Sequence, residues 1–293
     1  MLEKCNLCGF NCNIDRNKSL GVCKINNTIK VALVSKHFWE EPCISKDRGS
    51  GTIFFSGCNL NCIFCQNYKI SAENYGKDIS IQRLADIFIE QQNRDVNNIN
   101  LVSPTPYVPM IIEAIKIAKE KGLKLPIVYN TNGYENVETI KQLNGYIDVY
   151  LPDIKYHDNE KAILYSKAPN YFDVASKAIV EMFNQVGNPV FDENGIIQRG
   201  LIIRHLIMPN NIMQTKKIID WIKSTFPSDI YISIMAQYFP TYKALENNTI
   251  NRKITKKEYE IVLDLIKDFK NGYIQELSNS EEEYVPNFDL SNV

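Results

Sequence analysis

Gly57-Cys58-Asn59-Leu60-Asn61-Cys62-Ile63-Phe64-Cys65-Gln66-Asn67 sets three cysteines at the spacing C-x3-C-x2-C. A structural zinc takes four protein ligands, and a [4Fe–4S] cube is normally held by four thiolates, one per iron. Three thiolates from one tight loop leave one iron exposed, much as a catalytic zinc keeps one position open. An open iron can take a substrate or a cofactor as its last ligand, which a closed structural site excludes. The loop follows directly on a β-branched, apolar run at residues 52–55, so it sits where a strand ends. Barrels of alternating strands and helices carry their chemistry at that end.

Outward from the loop, the pattern predicts the rest of such a barrel. Short apolar runs at residues 99–102, 127–129, 147–151, 201–207 and 230–234 read as strands. Between them lie helical stretches with one apolar face: Ile81, Leu84, Ala85 and Phe88; Val108, Ile111, Ile112 and Ile115; and later Tyr259, Val262, Leu263 and Ile266. Strand–helix alternation predicts βαβ units on a parallel sheet. Six units give an α/β fold with a partial (β/α)6 TIM-like barrel, too few for a closed eightfold one. Turns at Lys121-Gly122, Asn132-Gly133 and Asn144-Gly145 punctuate the units, and Glu193-Asn194-Gly195 predicts a small hairpin before the fifth strand. Residues 1–50 read as a small N-terminal cysteine-rich lobe with one strand at 29–34, and residues 51–280 as the barrel core. Residues 281–293, opening with Glu281-Glu282-Glu283, read as an acidic, partly mobile tail.

Composition narrows the class. A chain of 293 residues can bury one large α/β domain with a small lobe. No apolar run reaches the length of a membrane span, and the first residues lack the apolar segment of a secretion signal, which points to the cytoplasm. The formal charge of −1 argues against a nucleic-acid-binding surface. All eight cysteines precede position 66, a clustering that points to metal or redox chemistry rather than a disulfide scaffold. Cys5, Cys8, Cys12 and Cys23 form a second set, C-x2-C-x3-C-x10-C, whose count of four suits either a closed zinc or a fully ligated [4Fe–4S] cluster. Cys43 is left over, as a small buried hydrophobe, a substitute ligand or a thiol near the barrel mouth.

C-x3-C-x-aromatic-C, with Phe64 in the aromatic place, resembles the signature of the radical S-adenosylmethionine (SAM) enzymes. His37-Phe38-Trp39-Glu40-Glu41-Pro42-Cys43, Gly49-Ser50-Gly51-Thr52, Leu101-Val102-Ser103-Pro104-Thr105-Pro106 and Met235-Ala236-Gln237-Tyr238 resemble the PflX-type family, relatives of the pyruvate formate-lyase activating enzymes. The resemblance implies that SAM chelates the open iron through its amino and carboxylate groups. It also implies one-electron cleavage of SAM to methionine and a 5′-deoxyadenosyl radical that abstracts hydrogen. An electron donor of flavodoxin or ferredoxin type and an oxygen-sensitive, oxidoreductase-type cluster follow from it. The hydrogen donor is left open between a protein glycine, as in glycyl radical enzyme activation, and a small molecule or peptide. A non-enzymatic iron–sulfur or zinc protein for electron transfer or assembly is the rival reading, and it predicts metal binding without a response to SAM.

The same resemblance names residues for the cofactor. Ser103 and Thr105 stand where activating enzymes carry Gly-Gly-Glu-Pro around the SAM amino group. Asn130 and Asn132 lie in Asn130-Thr131-Asn132-Gly133, which is similar to Asp-Thr-Asn-Gly. Asp153 and Lys155 match Asp-x-Lys, and in extended geometry they point to one side, suiting the two ends of a methionine zwitterion. Arg204 is placed to clamp a carboxylate, and Phe64, Asn67 and Gln237 complete the expected SAM contacts. His37, His157 and His205 show no ligand spacing and read as structural or surface residues.

Overall fold

A computed structural model describes residues 2–277 and 285–293. In chain order its elements are β1 (Ile29–His37), α1 (Pro42–Ser45), β2 (Ser50–Phe55), α2 (Tyr68–Ser71), β3 (Lys77–Ile79), α3 (Ile81–Asn93), β4 (Ile99–Val102), α4 (Val108–Glu120), β5 (Ile127–Thr131), α5 (Val137–Gln142), β6 (Val149–Pro152), α6 (Asn159–Ser166), α7 (Tyr171–Val186), β7 (Val190–Phe191), β8 (Ile197–Leu206), α8 (Ile212–Thr225), β9 (Tyr231–Met235), α9 (Lys256–Ile266) and β10 (Asn271–Ile274). Helix starts follow local chemistry. The Ser80 side chain accepts from the Arg83 N–H at the head of α3, and Thr255 and Glu258 close a reciprocal capping box on α9.

The six expected strands, β2, β4, β5, β6, β8 and β9, lie side by side in that order and run parallel. The sheet path runs from β10 to β3 without the two ends pairing, so the barrel is partial. The hairpin is also as expected: β7 pairs antiparallel with β8 around Gly195. Side chains alternate across each strand, and the inward set is apolar below and polar above. Val128, Val149, Leu151 and Ile202 pack together, and Asn130, Asp153 and Arg204 stand one pleat higher.

Three regions differ from the sequence reading. Strand β1 pairs antiparallel with β2 and with β3, so it belongs to the barrel sheet and a boundary at residue 50 cuts through that sheet. A further strand, β10, extends the other edge parallel to β9. Finally, Phe288 is buried with its ring 5.6 Å from that of Phe54, the Leu290 N–H donates to Ala32 O, and Ser291 O accepts from Val34 N. The end of the acidic tail is therefore packed on β1, while Glu281, Glu282 and Glu283 lie outside the described residues.

Because β1 is antiparallel, it ends opposite Ser50, at the amino end of the barrel strands. The chain then turns into the barrel. Ile44 O accepts from Asn97 and Asn98 Nδ2 at 3.3 and 2.8 Å, and Cys43 and Ile44 pack on Val128, Val149, Leu151 and Ile202. Residues 38–45 thus close the floor of the barrel interior, and Cys43 is a packing residue there rather than a thiol at the mouth.

Candidate active site

At the carboxyl end of β2 the backbone turns through Gly57, whose φ of +73° lies in the left-handed region that glycine tolerates. A Cβ there would stand 2.5 Å from Ile25 Cγ1 and 2.8 Å from Cys23 O, so the loop is seated against the N-terminal lobe. Beyond the turn, Cys58, Cys62 and Cys65 form one wall of a cavity of about 630 Å³, a volume typical of a ligand pocket. Each sulfur receives a hydrogen bond. The Leu60 N–H and Asn132 Nδ2 donate to Cys58 Sγ, both at 3.4 Å, Ser166 Oγ donates to Cys62 Sγ at 2.9 Å, and Ser71 Oγ donates to Cys65 Sγ at 3.2 Å.

Burial pushes all three thiols up, Cys62 to about 11 against the opposing pull of Lys155. All eight cysteines are free, and among the described residues no three His, Cys, Asp or Glu side chains converge around a single ion. A cube does not require that convergence, since each thiolate takes its own iron. Three half-buried thiols on one loop, donors directed at each sulfur, and an open side facing a cavity fit a three-thiolate [4Fe–4S] cluster. Hydrogen bonds to cluster sulfurs are a recognised control on reduction potential.

Another part of the lining is ionic. Lys155 Nζ stands 2.5 Å from Asp153 Oδ2, and Arg204 Nε stands 2.9 Å from Asp153 Oδ1. Arg204 also donates to Asn130 Oδ1 at 2.6 Å and to Glu40 Oε2 at 3.1 Å, and Glu40 Oε1 accepts from Asn130 Nδ2 at 3.0 Å. Arg204 therefore points inward, and Asp153 and Lys155 are paired with each other but buried in the cavity wall rather than solvated.

Nine of the ten residues named for SAM line this cavity: Phe64, Asn67, Ser103, Asn130, Asn132, Asp153, Lys155, Arg204 and Gln237. Thr105 does not. Ser103 takes a left-handed backbone, and two residues on the buried Thr105 hydroxyl donates to Glu135 Oε1 at 2.5 Å, beneath the cavity wall. Glu135 is fully buried, which pushes its carboxyl up to about 7 despite donors from Thr105 and Thr131. The Asn132 amide is spent on the loop, donating to Cys58 Sγ and to Asn59 Oδ1, so it positions the cluster loop instead of facing a ligand freely. His205 is buried between Ile154 O and Thr215 Oγ1, and desolvation holds its imidazole down to about 4. His157 rests on Phe172 outside the cavity, whereas His37 lies at the cavity edge against Phe54.

Sequence reasoning missed Ser71, Ser166, Glu40 and Glu41 as site residues. A serine carries no signal of its partner, and Glu40 and Glu41 reach the cavity only because residues 38–45 fold into the barrel. The second cysteine set gathers elsewhere, outside the cavity lining. Cys12 and Cys23 sulfurs flank Gly21, at 3.9 and 3.2 Å from where its Cβ would be. Burial, with Cys23 and Cys12 close by, pushes Cys8 up to about 12. Cys8 lies alongside Glu135, and Asn59 donates to the neighbouring Tyr134 O at 2.9 Å, so the lobe abuts the cluster loop.

Comparison with known proteins agrees with this geometry. The sequence profile of the Radical SAM superfamily matches residues 52–222, more than half of the chain. An uncharacterised protein of Methanocaldococcus jannaschii is 33% identical over 278 residues, covering 92% of this chain and 76% of its own. A candidate glycyl-radical enzyme activating enzyme of the same organism is 32% identical over 110 residues, covering 37% of this chain and 44% of its own. Among solved structures, the FeFe-hydrogenase maturase HydG of Carboxydothermus hydrogenoformans superposes with a TM-score of 0.53 at 14% identity, over 79% of this chain and 55% of that one. Streptococcus suis SuiB bound to its precursor peptide SuiA gives 0.50 at 15%, over 75% and 46%. The chain thus spans about half the length of those two structures, and at such identities they bear on the fold alone. The chain belongs to the radical SAM superfamily.

Proposed function

We propose that this protein is an enzyme that binds a [4Fe–4S] cluster through Cys58, Cys62 and Cys65, binds SAM in the adjoining cavity, and abstracts a hydrogen atom from a substrate there. The observation that carries the reading is one cavity lined both by three half-buried thiols and by the Asp153–Lys155–Arg204 ionic set. When bound, the cluster and SAM supply the electron transfer and the 5′-deoxyadenosyl radical; the chain supplies binding, orientation and shielding. Ser71, Ser166, Asn132 and the Leu60 N–H would hold the thiolates in place. Lys155, the cation acting on Cys62, would meet the SAM carboxylate, and Asp153 and the hydroxyl of Ser103 would accept from its amino group, while Arg204 is spent on Asp153, Glu40 and Asn130. Phe64, packed on Tyr238 at 5.9 Å, shields one side of the loop.

As substrate we propose a backbone glycine of a protein partner, which the partial similarity to a candidate glycyl-radical enzyme activating enzyme supports. A one-electron donor of flavodoxin or ferredoxin type would reduce the cluster. Cys5, Cys8, Cys12 and Cys23 would hold a second metal, either iron–sulfur with one thiolate per iron or a zinc on which the four thiols would first have to converge, fastening the lobe against the cluster loop. The test is anaerobic reconstitution followed by assay of 5′-deoxyadenosine with a reductant. Formation that depends on SAM and on Cys58 is expected, and a protein glycyl radical in a partner would identify the substrate class. Cluster assembly without any SAM cleavage would contradict the reading.

A further inference from the structure

The floor of the cavity holds more carboxyl groups than cations, and burial pushes the Glu40 and Glu41 carboxyls up against the opposing pull of Arg204. Three carboxyl groups, the buried Glu41 and the largely buried Glu40 and Asp153, face two cations, Arg204 and Lys155. Lys155 is committed to Asp153, and each nitrogen of the Arg204 guanidinium is already engaged: Nε with Asp153, one NH with Asn130 and the other with Glu40. Glu41 is the one left short. It is only 8% exposed, it lines the cavity, and its Oε2 has no hydrogen-bond partner among the described residues. The nearest cationic nitrogen, Arg204 NH1, is 3.9 Å away and bonded to Glu40. Ser233 and the Glu41 backbone N–H lie beside the carboxyl group, but a buried carboxylate oxygen without a donor is costly, and a cationic ligand in the cavity would complete it. The chain brings these carboxylates in deliberately far from their strand: residues 38–45 fold into the barrel and Pro42 opens α1, which fixes Glu40 and Glu41 at the turn.

We propose that Glu40 and Glu41 form a receptor at the cavity floor for an organic cation of the substrate, an ammonium or a guanidinium group. This rests on the reading that the cavity is where the substrate reacts. SAM brings a positive sulfonium, but its amino and carboxylate groups would be spent at the open iron beside the cysteine wall. The floor carboxylates lie on the wall with Arg204 and Asn130, where the substrate has room to present its own charge. Glu40, with Arg204 and Asn130 as partners, orients the pair, and Glu41 offers the free oxygen.

The experiment uses the anaerobically reconstituted full chain, reduced and loaded with SAM. Thermal unfolding is followed with n-butylammonium or n-butylguanidinium chloride, and with n-butanol or potassium chloride as controls. For a probe at about ten times its Kd, a rise in Tm of about 3 °C is expected with an organic cation. Neither control should match it, and Glu41→Gln should abolish it. Glu41→Gln is isosteric; should it fail to fold, Glu40→Gln, expected to reduce the response, takes its place. Absence of any rise, an equal rise with n-butanol, or an undiminished rise in Glu41→Gln would overturn the proposal. An equal rise with potassium would assign the pair to an inorganic ion and overturn it too. The SAM-induced change in the cluster EPR signal is recorded on the same samples. If wild type shows no such change, the radical SAM reading of the site fails; if it does and the cations have no effect, only this proposal fails. Weakened SAM affinity in Glu41→Gln matching the lost cation response would give the carboxylate to SAM and overturn the proposal.

Discussion

The two cysteine sets lie against each other yet differ in what surrounds them. Cys5, Cys8, Cys12 and Cys23 sit on a lobe anchored by the fully buried Arg16, which donates to Pro106 O at 2.6 Å, and none of them lines the cavity. Cys58, Cys62 and Cys65 all face it, together with the charged side chains of Asp153, Lys155 and Arg204. Four thiols without a cavity suit a closed site, and three thiols with one suit a site that finishes its coordination with an incoming molecule. On the proposed reading, ligand count and exposure to a polar cavity together would separate a structural set from a reactive one. Neither would do so alone.

The comparison breaks most easily by removing one ligand from each set. Cys58→Ala is expected to abolish 5′-deoxyadenosine formation and the SAM-dependent EPR change. Cys8→Ala should keep a SAM-responsive cluster, measured on the same reconstituted samples. Loss of both responses in Cys8→Ala would show that the two sets are one site.

The charged wall that distinguishes the cavity gives the next largest effect. Arg204→Met leaves Asp153, Glu40 and Glu41 around an uncharged side chain, and a loss of about 3–5 kcal/mol in urea unfolding is expected. A change within 0.5 kcal/mol would mean that these carboxylates are protonated or solvated in the native protein. Behind that wall, His205 gives a pH signature. Its folded value near 4 lies below the ordinary 6.5, so the unfolded chain binds the extra proton between those values. Stability is full above about pH 6.5 and falls as pH drops toward 4, by about 2 kcal/mol between pH 7.5 and 5. Urea melts at both pH values should show that loss in wild type and a smaller one in His205→Gln.

The smallest effects come from the sulfur donors. Ser166→Ala and Asn132→Ala should each lower cluster retention or SAM cleavage by about 10–100-fold. Potentiometric EPR should find a more negative cluster potential, because a donor to the thiolates has gone. An unchanged potential would reduce these side chains to packing.

Much of this was legible in the sequence, and the failures have physical causes. The six parallel strands announce themselves because each is an apolar run buried on both faces, as in β2, where all six residues are buried. Strands at the sheet edges do not: β3 is three residues with two exposed, and β10 alternates half-buried and exposed positions. The cysteine loop was readable from spacing alone, whereas Glu40 and Glu41 depend on β1 running antiparallel, a fact of pairing and not of pattern. Thr105 turns onto Glu135 rather than lining the cavity, two residues beyond a left-handed Ser103 that no sequence pattern announces. Asn132 is named from its motif as a SAM contact, whereas its donation to Cys58 and Asn59 is visible only once the fold brings them together.

The most direct test of the central claim is low-temperature EPR of the anaerobically reconstituted, reduced protein with and without SAM. The open-site account predicts a [4Fe–4S]+ signal that changes on adding SAM in wild type and is lost in Cys58→Ala. A cluster signal that SAM leaves unchanged would contradict it, and the electron-transfer reading would then stand in its place.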